Sequence, residues 1–322
     1  MTVTVIGETL VDLVWRSDAA VVTPLAGGSP ANLAVGLHRL GVPTTLLTCW
    51  GDDVPGALVA EYLGASGLPV VRARSASGRT ALALAHIDAA TGGADYDFLA
   101  SWDPLDLPVP GETTLLATGS LAIAVEPGAS RVHETCAAFR SRPAGMVAVD
   151  LNVRPRVLAD RAAYRASAER SAAVADVVKA SAEDLAWLYP GRSPSAAARD
   201  LLGLGPGLVV LTDGAEGAHV FMAGTETSVP SPPVRVVDTI GAGDAFQASL
   251  LAGLLHDGRP RLPADRETLE RLIRRAVTAG ALTCGRAGAR PPGPAELEAA
   301  VAAGRERDRA GEGARHAGGP AA

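Results

Sequence analysis

Lysine is almost missing from this chain. Lys179 is the only one in 322 residues, and arginine carries the rest of the positive charge. A phosphate-binding loop ending in Gly-Lys-Ser/Thr is therefore excluded, because Lys179 lies between Val178 and Ala180. Cysteine is scarce as well. Cys49, Cys136 and Cys284 are odd in number, far apart and in no metal-ligand spacing, which argues against zinc or a disulfide framework and for reduced thiols in a cytoplasmic setting. No stretch approaches the roughly eighteen uninterrupted apolar residues of a membrane span. Residues 1–7 lack the charged start and long apolar run of a secretory leader and read as a first strand. The net charge of −6 is mild and the arginines form no stripe, so nothing points to nucleic acid or a membrane surface. The expected partner is a small molecule.

What is present is a βα rhythm. Short β-branched runs at Thr2–Ile6, Thr44–Thr48, Thr114–Thr118, Gly145–Asp150, Val174–Lys179, Leu208–Thr212 and Val234–Val237 alternate with Ala/Leu-rich helical stretches. The helices are expected at Pro30–Leu40, Pro55–Leu63, Val132–Arg140, Asp160–Val174, Ala182–Leu188, Ser195–Leu202, Asp244–His256 and Thr268–Cys284. This is an α/β pattern with a mainly parallel sheet. Two regions break it. Thr80–Asp88 and Ala94–Leu99, joined across residues 89–93, read as a hairpin, and Leu10–Pro24 reads as extended, so a small sheet that covers a ligand is expected from about 10–24 and 80–103. One domain over 1–303 is expected, followed by a Gly/Arg/Ala-rich disordered tail over 304–322.

A dinucleotide fold would need its glycines after the first strand and before a helix. Gly203-Leu204-Gly205-Pro206-Gly207 precedes a strand instead and reads as a connection. The segment with the right setting is Asp238-Thr239-Ile240-Gly241-Ala242-Gly243-Asp244, after the run at Val234–Val237 and before Phe246, Leu250, Leu251 and Leu254 at helical spacing. The amides of Gly241, Ala242 and Gly243 at such a helix start can face an anion, and glycine lets the anion close in. Asp244 is then placed to take a proton from a hydroxyl attacking a bound phosphoryl group. Taken alone, such a loop is equally a glycine turn with an aspartate near a helix start. A second pattern, Gly27-Gly28-Ser29-Pro30-Ala31-Asn32 with Gly41 at its far end, reads as a helix capped by Ser29, begun at Pro30 and closed at Gly41.

Both segments, residues 238–244 and 27–41, resemble the two signatures of the PfkB (ribokinase-like) carbohydrate kinases, and the likeness extends over about residues 3 to 295. That resemblance implies a three-layer α/β/α fold with a β lid, ATP and magnesium as cofactors, and potassium as a further ion. It makes Asp244 the base and Gly241, Ala242 and Gly243 the anion hole. It assigns Asp12, Gly27, Gly28, Asn32 and Arg154 to the sugar, with Tyr96 and Phe98 of the hairpin packing on it. Thr212, Gly214, Gly217, Ser181, Val277 and Ala281 fall to the nucleotide side. Where many relatives carry an Asn and, three residues on, a Glu that order magnesium through water, this chain has Ser181 and Asp184. Asp238 with the carbonyls of Ile240, Cys284 and Ala289 is implied as the monovalent-cation site. A homodimer through the lid is a further expectation.

Within the family, Gly119-Ser120-Leu121-Ala122, Glu126-Pro127 and Ala186-Trp187-Leu188-Tyr189-Pro190-Gly191 look most like bacterial fructokinases. Ser29 stands where kinases of phosphorylated sugars place a cation, so a neutral substrate is implied. A 2-keto-3-deoxygluconate kinase is the runner-up, although the hairpin reads Tyr96-Asp97-Phe98 without the arginine its carboxylate would need. A nucleoside kinase is more distant. A protein of the same fold that binds sugar or nucleotide without turnover is the alternative of another class.

Overall fold

Runs buried at every position, such as Met146–Asp150 with its four apolar residues before Asp150, make strands covered on both faces, the mark of a parallel sheet between two helical layers. The computed structural model describes residues 2–87, 94–99, 101–256 and 259–317. Its main sheet uses β1 (Thr2–Ile6), β4 (Thr44–Thr48), β5 (Val70–Arg72), β8 (Thr113–Gly119), β9 (Met146–Asp150), β10 (Val177–Ser181), β11 (Leu208–Asp213), β12 (Gly217–Met222) and β13 (Thr225–Val229). Their order is β13-β12-β11-β10-β9-β8-β1-β4-β5, with only β11-β12-β13 paired antiparallel.

Alternate strand residues feed two cores. Val3, Val5, Ala148, Val177 and Val210 pack with α1 (Ser29–Arg39), α2 (Val54–Ser66), α7 (Ala242–Leu254) and α8 (Arg266–Cys284). Ile6, Val147, Val149, Val178 and Leu211 pack with α3 (Gly128–Arg140), α4 (Arg161–Ala173), α5 (Ala182–Leu188) and α6 (Pro194–Leu202). A separate four-stranded sheet, ordered β3-β2-β6-β7, comprises β2 (Leu10–Arg16), β3 (Val22–Gly27), β6 (Ala81–Ile87) and β7 (Ala94–Leu99). It leaves the main sheet directly after β1. The chain runs from β1 to β4 on one side and returns to β8 on the other, so the strand order reverses between β1 and β8, where ligands of open α/β sheets gather.

Three expectations need correction. Val234–Val237 forms no strand: it is exposed, and the Val237 amide donates to the Cys284 carbonyl at 2.8 Å. The sheet edge is taken by β13, whose Thr-Glu-Thr-Ser sequence hides it from a hydrophobic pattern. The stretch after Gly304 continues helix α9 (Pro294–Ala317) instead of lacking structure. Leu297 and Val301, one turn apart, anchor this helix beside Ala279, and its Ala, Glu and Arg content favours helix without apolar periodicity. Ser29 does not cap α1; Gly28 holds that position with no side-chain bond. The turn expected at 89–93 and the residues from 318 on lie outside the described residues, as does the side chain of Tyr96.

Candidate active site

Two helix starts meet at one carboxylate. Gly28 must be glycine, since φ is +117° and a Cβ there would stand 2.7 Å from the Glu8 carbonyl; this close approach sets the start of α1 against the end of β1. Ser29, freed from capping, donates from Oγ to Asp244 Oδ1 at 2.7 Å, and Asn32 donates from Nδ2 to Asp244 Oδ2 at 3.0 Å. Asp244 belongs to the first turn of α7, which begins after Gly241 in the left-handed region at φ +76°. Burial raises the Asp244 carboxyl above the usual aspartate range, while Ser29, Asn32, Lys179 and Arg154 pull it back.

Gly27 faces Asp12 and Asn32 together. A Cβ there would lie 3.4 Å from Asp12 Oδ2 and 4.0 Å from Asn32 Oδ1, so the missing side chain leaves a recess flanked by both groups. Asp12 sits on β2 opposite Ala83 of β6, which in turn faces Phe98 of β7. Phe98 packs beside Leu10, Ala81 and Leu121 at the base of the lid. Burial raises Asp12 to about 6, opposed by Arg154.

Arg154 draws the acids together. It lowers Glu8, Asp12, Asp150, Asp184 and Asp244 from where burial alone would put them. Its loop is held by the Tyr164 hydroxyl, which accepts the Arg154 amide at 3.0 Å, and by Asp184 Oδ1, which accepts the Val153 amide at 2.9 Å. Asp184 Oδ2 accepts the Ser181 amide at 2.8 Å, completing a capping box at the start of α5. Both oxygens of Asp184 therefore serve backbone groups.

The expected anion hole differs in one member. The Ala242 amide closes the turn onto the Thr239 carbonyl at 3.2 Å, whereas those of Gly241 and Gly243 have no bond within the described residues. Of the residues expected to face the nucleotide, Ser181 and Thr212 are paired neighbours at the ends of β10 and β11. Gly214 follows at φ +46° with open space around it. Gly217 is different, because a Cβ there would meet the Val229 carbonyl at 2.1 Å. Val277 and Ala281 are buried on α8, Val277 within the main core.

Asp238 ties two loops, accepting from the Ile240 amide at 3.0 Å and the Gly288 amide at 2.8 Å. Ala289 lies so close to Gly241 that a Cβ on Gly241 would meet its Cβ at 2.5 Å. The Cys284 carbonyl also accepts, from the amides of Val237 and Asp238, and so, of the three carbonyls expected at the cation site, it is the one engaged elsewhere among the described residues.

Three groups escaped the sequence reading. Tyr62 of α2 donates to Asn32 Oδ1 at 3.4 Å, yet on an apolar helix it looks like core. Glu8, fully buried and raised to about 7, accepts the Ala122 amide at 3.2 Å and joins β1 to the turn after β8. Its place just after a strand end was the available signal. Lys179 pairs with Asp150 at 2.7 Å inside the sheet.

The pfkB family carbohydrate kinase model matches residues 2–296. A fructokinase of Rhizobium leguminosarum bv. trifolii is 35% identical over 267 residues, 78% of this chain and 79% of that protein. Two solved structures have similar folds. A double mutant of the Vibrio cholerae O395 fructokinase, bound to fructose, ADP and potassium, superposes with a TM-score of 0.77 at 26% identity, covering 94% of this chain and 97% of that one. The Salmonella enterica aminoimidazole riboside kinase, complexed with aminoimidazole riboside and an ATP analog, reaches 0.79 at 26% identity over 94% of this chain and all of that one (100%). The fold is ribokinase-like, and the chain belongs to the pfkB family of carbohydrate kinases.

Proposed function

We propose that this protein transfers the γ-phosphoryl group of ATP to the primary hydroxyl of a neutral sugar, D-fructose at C6, with Asp244 as general base. The observation that carries this reading is the convergence at Gly27: Asp12 and Asn32 flank one recess, and Asn32 also donates to the buried carboxylate at the start of α7. Asp12 and Asn32 bind sugar hydroxyls, and Phe98 closes the recess from the lid. Ser29 and Asn32 occupy one lone pair on each Asp244 oxygen, which leaves others to accept the proton of the attacking hydroxyl. Burial raises the basicity of Asp244, as a base working near neutrality requires. The amides of Gly241 and Gly243, with the α7 dipole, face the charge that develops on the phosphoryl oxygens.

ATP, when bound, supplies the phosphoryl group, and Ser181, Thr212, Gly214, Val277 and Ala281 are the residues that would hold it. Among the described residues no cluster of three or more His, Cys, Asp or Glu could hold a metal ion. Asp184 acts instead as a brace for the Arg154 loop. Asp238, with the carbonyls of Ile240 and Ala289, would hold potassium and brace the loop at Gly241.

Fructose is favoured because Ser29 is bonded to the base instead of offering a cation to a phosphorylated sugar. No arginine lies on β7, which weakens the 2-keto-3-deoxygluconate reading. A riboside is the second reading, supported by the equal fit to the aminoimidazole riboside kinase. The lid folds down on the bound sugar and excludes water. Its exposed Trp15, Val22, Leu25 and Leu99 offer a second copy an apolar surface.

An ADP-release assay over fructose, ribose, 2-keto-3-deoxygluconate and aminoimidazole riboside is expected to rank fructose first. Asp244→Asn is expected to lower kcat by about 10³- to 10⁴-fold while the sugar still binds. Sugar binding without turnover by the unaltered protein would replace the kinase reading with a binding protein. The same preparation should sediment as a dimer at micromolar concentration, and a monomer would remove the lid contact.

A further inference from the structure

The chain's one lysine lies beneath the anion hole. Lys179 and Asp150 are direct partners in the β9–β10 pairing, both on the face that carries α1 and α7. Their charged atoms are 2.7 Å apart and both side chains are about 5% exposed. A Cβ added to Gly243 would stand 3.4 Å from Lys179 Nζ, so the ammonium lies directly against the first turn of α7.

A buried ion pair is a poor device for stability. Removing both charges from water costs several kcal/mol, and well-packed apolar residues of similar volume often do as well or better. The second carboxylate oxygen, Asp150 Oδ1, is buried and has no protein hydrogen-bond partner among the described residues. A compact ammonium, unlike a broad guanidinium, fits under a helix turn with no side chain of its own.

We propose that Lys179, clamped by Asp150, is a fixed positive charge beneath the start of α7 that positions the transferred phosphoryl group over the Gly241 and Gly243 amides. The inference rests on the kinase reading above and adds to it. Charge accumulating above Gly243 lies near an ammonium in a water-poor layer, where Coulomb interactions exceed those in bulk water. The same ammonium acts on Asp244 from below. Around that carboxylate stand Ser29 and Asn32 of α1, Tyr62 of α2, Asp150 of β9 and Arg154 of the loop after β9. Lys179 and Arg154 are the cations among them. Lys179 is a positioning residue, acting through the helix start without accepting a proton from substrate.

The test uses Lys179→Met alone and Lys179→Met combined with Asp150→Leu, which exchanges the pair for apolar groups. Each is compared with the unaltered protein in kcat, sugar KM, pH profile and thermal unfolding. Lys179→Met is expected to lower kcat about a hundredfold with sugar KM within threefold, and to move the acid limb of the kcat profile to higher pH. The double variant is expected to recover unfolding temperature while kcat stays low. Recovery of both would make the pair a folding element and overturn the proposal, as would Lys179→Met with unchanged kcat and acid limb. If the unaltered protein turns over none of the four sugars, the kinase reading falls and this proposal with it; an active parent with active variants removes the proposal alone.

Discussion

On the lid side of Asp244 the site is made of side chains: Asp12, Asn32 and Ser29 bring carboxylate, amide and hydroxyl groups within reach of one recess beside Gly27. On the β11 side it is made of backbone and hydrocarbon, with Gly214 open to solvent and Val277 and Ala281 showing only the edge of a core. Selection of a sugar depends on hydroxyl positions and needs fixed donors and acceptors. A nucleotide's phosphates and base can be held by amides and apolar surface that many side chains would leave unchanged. Substitutions on the two sides should therefore fail in different ways, one in substrate choice and the other in folding.

The largest separation is expected from Asp12→Asn. It keeps shape but turns one acceptor into a donor at a half-buried position whose carboxyl is already raised to about 6. Fructose kcat/KM should fall by roughly a hundredfold, about 2.7 kcal/mol, with ATP KM unchanged. Steady-state kinetics with each substrate varied in turn checks this. An equal rise in both KM values would mean that Asp12 holds the lid and not the sugar.

The difference between the two sides also explains what was legible in the sequence. Asp244, Asn32 and Asp12 were singled out through the resemblance to the family, since an acid or amide near glycines at a helix start reads equally as a structural turn. The strands β1, β4 and β8–β11 and most helices followed from their periodicity and the lid strands from alternation, whereas β5, β12 and β13 were not read. Lys179 was hidden because a β10 strand of Val, Val, Lys, Ala gives no sign of which residue lies opposite. Ala242 spends its amide on Thr239, and the Cys284 carbonyl spends itself on Val237 and Asp238; backbone commitments of this kind leave no trace in residue type. Val234–Val237 looked like a strand by composition, but pairing needs a free sheet edge, and β13 had taken it.

Gly217 and Gly214 sharpen the comparison within the nucleotide side itself. Both follow β11 and both looked like contacts for ATP. Gly217 has φ +96° and no room, since a Cβ would meet the Val229 carbonyl and the Ser231 amide at 2.1 and 2.6 Å. Gly217→Ala is expected to destabilise by about 2 kcal/mol or more, lowering the unfolding temperature by several degrees, with ATP KM in the folded protein within twofold. Gly214→Ala meets nothing within 4 Å and carries only its own left-handed backbone cost of about 1 kcal/mol, so its effect should fall on ATP KM. The reverse pattern, measured by thermal unfolding and ATP titration, would place the nucleotide against Gly217.

The smallest effect tests how far the lid side depends on support from behind. Tyr62 donates to Asn32 Oδ1 at 3.4 Å, a long bond, while the Asn32 amide nitrogen serves Asp244. Exchange of the Asn32 oxygen with its nitrogen is opposed by Asp244, because it would turn an acceptor towards a carboxylate, whereas the Tyr62 hydroxyl can donate to or accept from either end of the amide. Tyr62→Phe removes one long hydrogen bond to Asn32 and leaves the restraint from Asp244 in place. Fructose KM should rise two- to fivefold, under 1 kcal/mol, with kcat preserved, because Asp244 still selects the amide orientation it needs. A tenfold loss of kcat at constant KM would instead mean that the Tyr62 hydroxyl acts on Asp244 during transfer, making Asn32 one link in a longer chain of donors to the base.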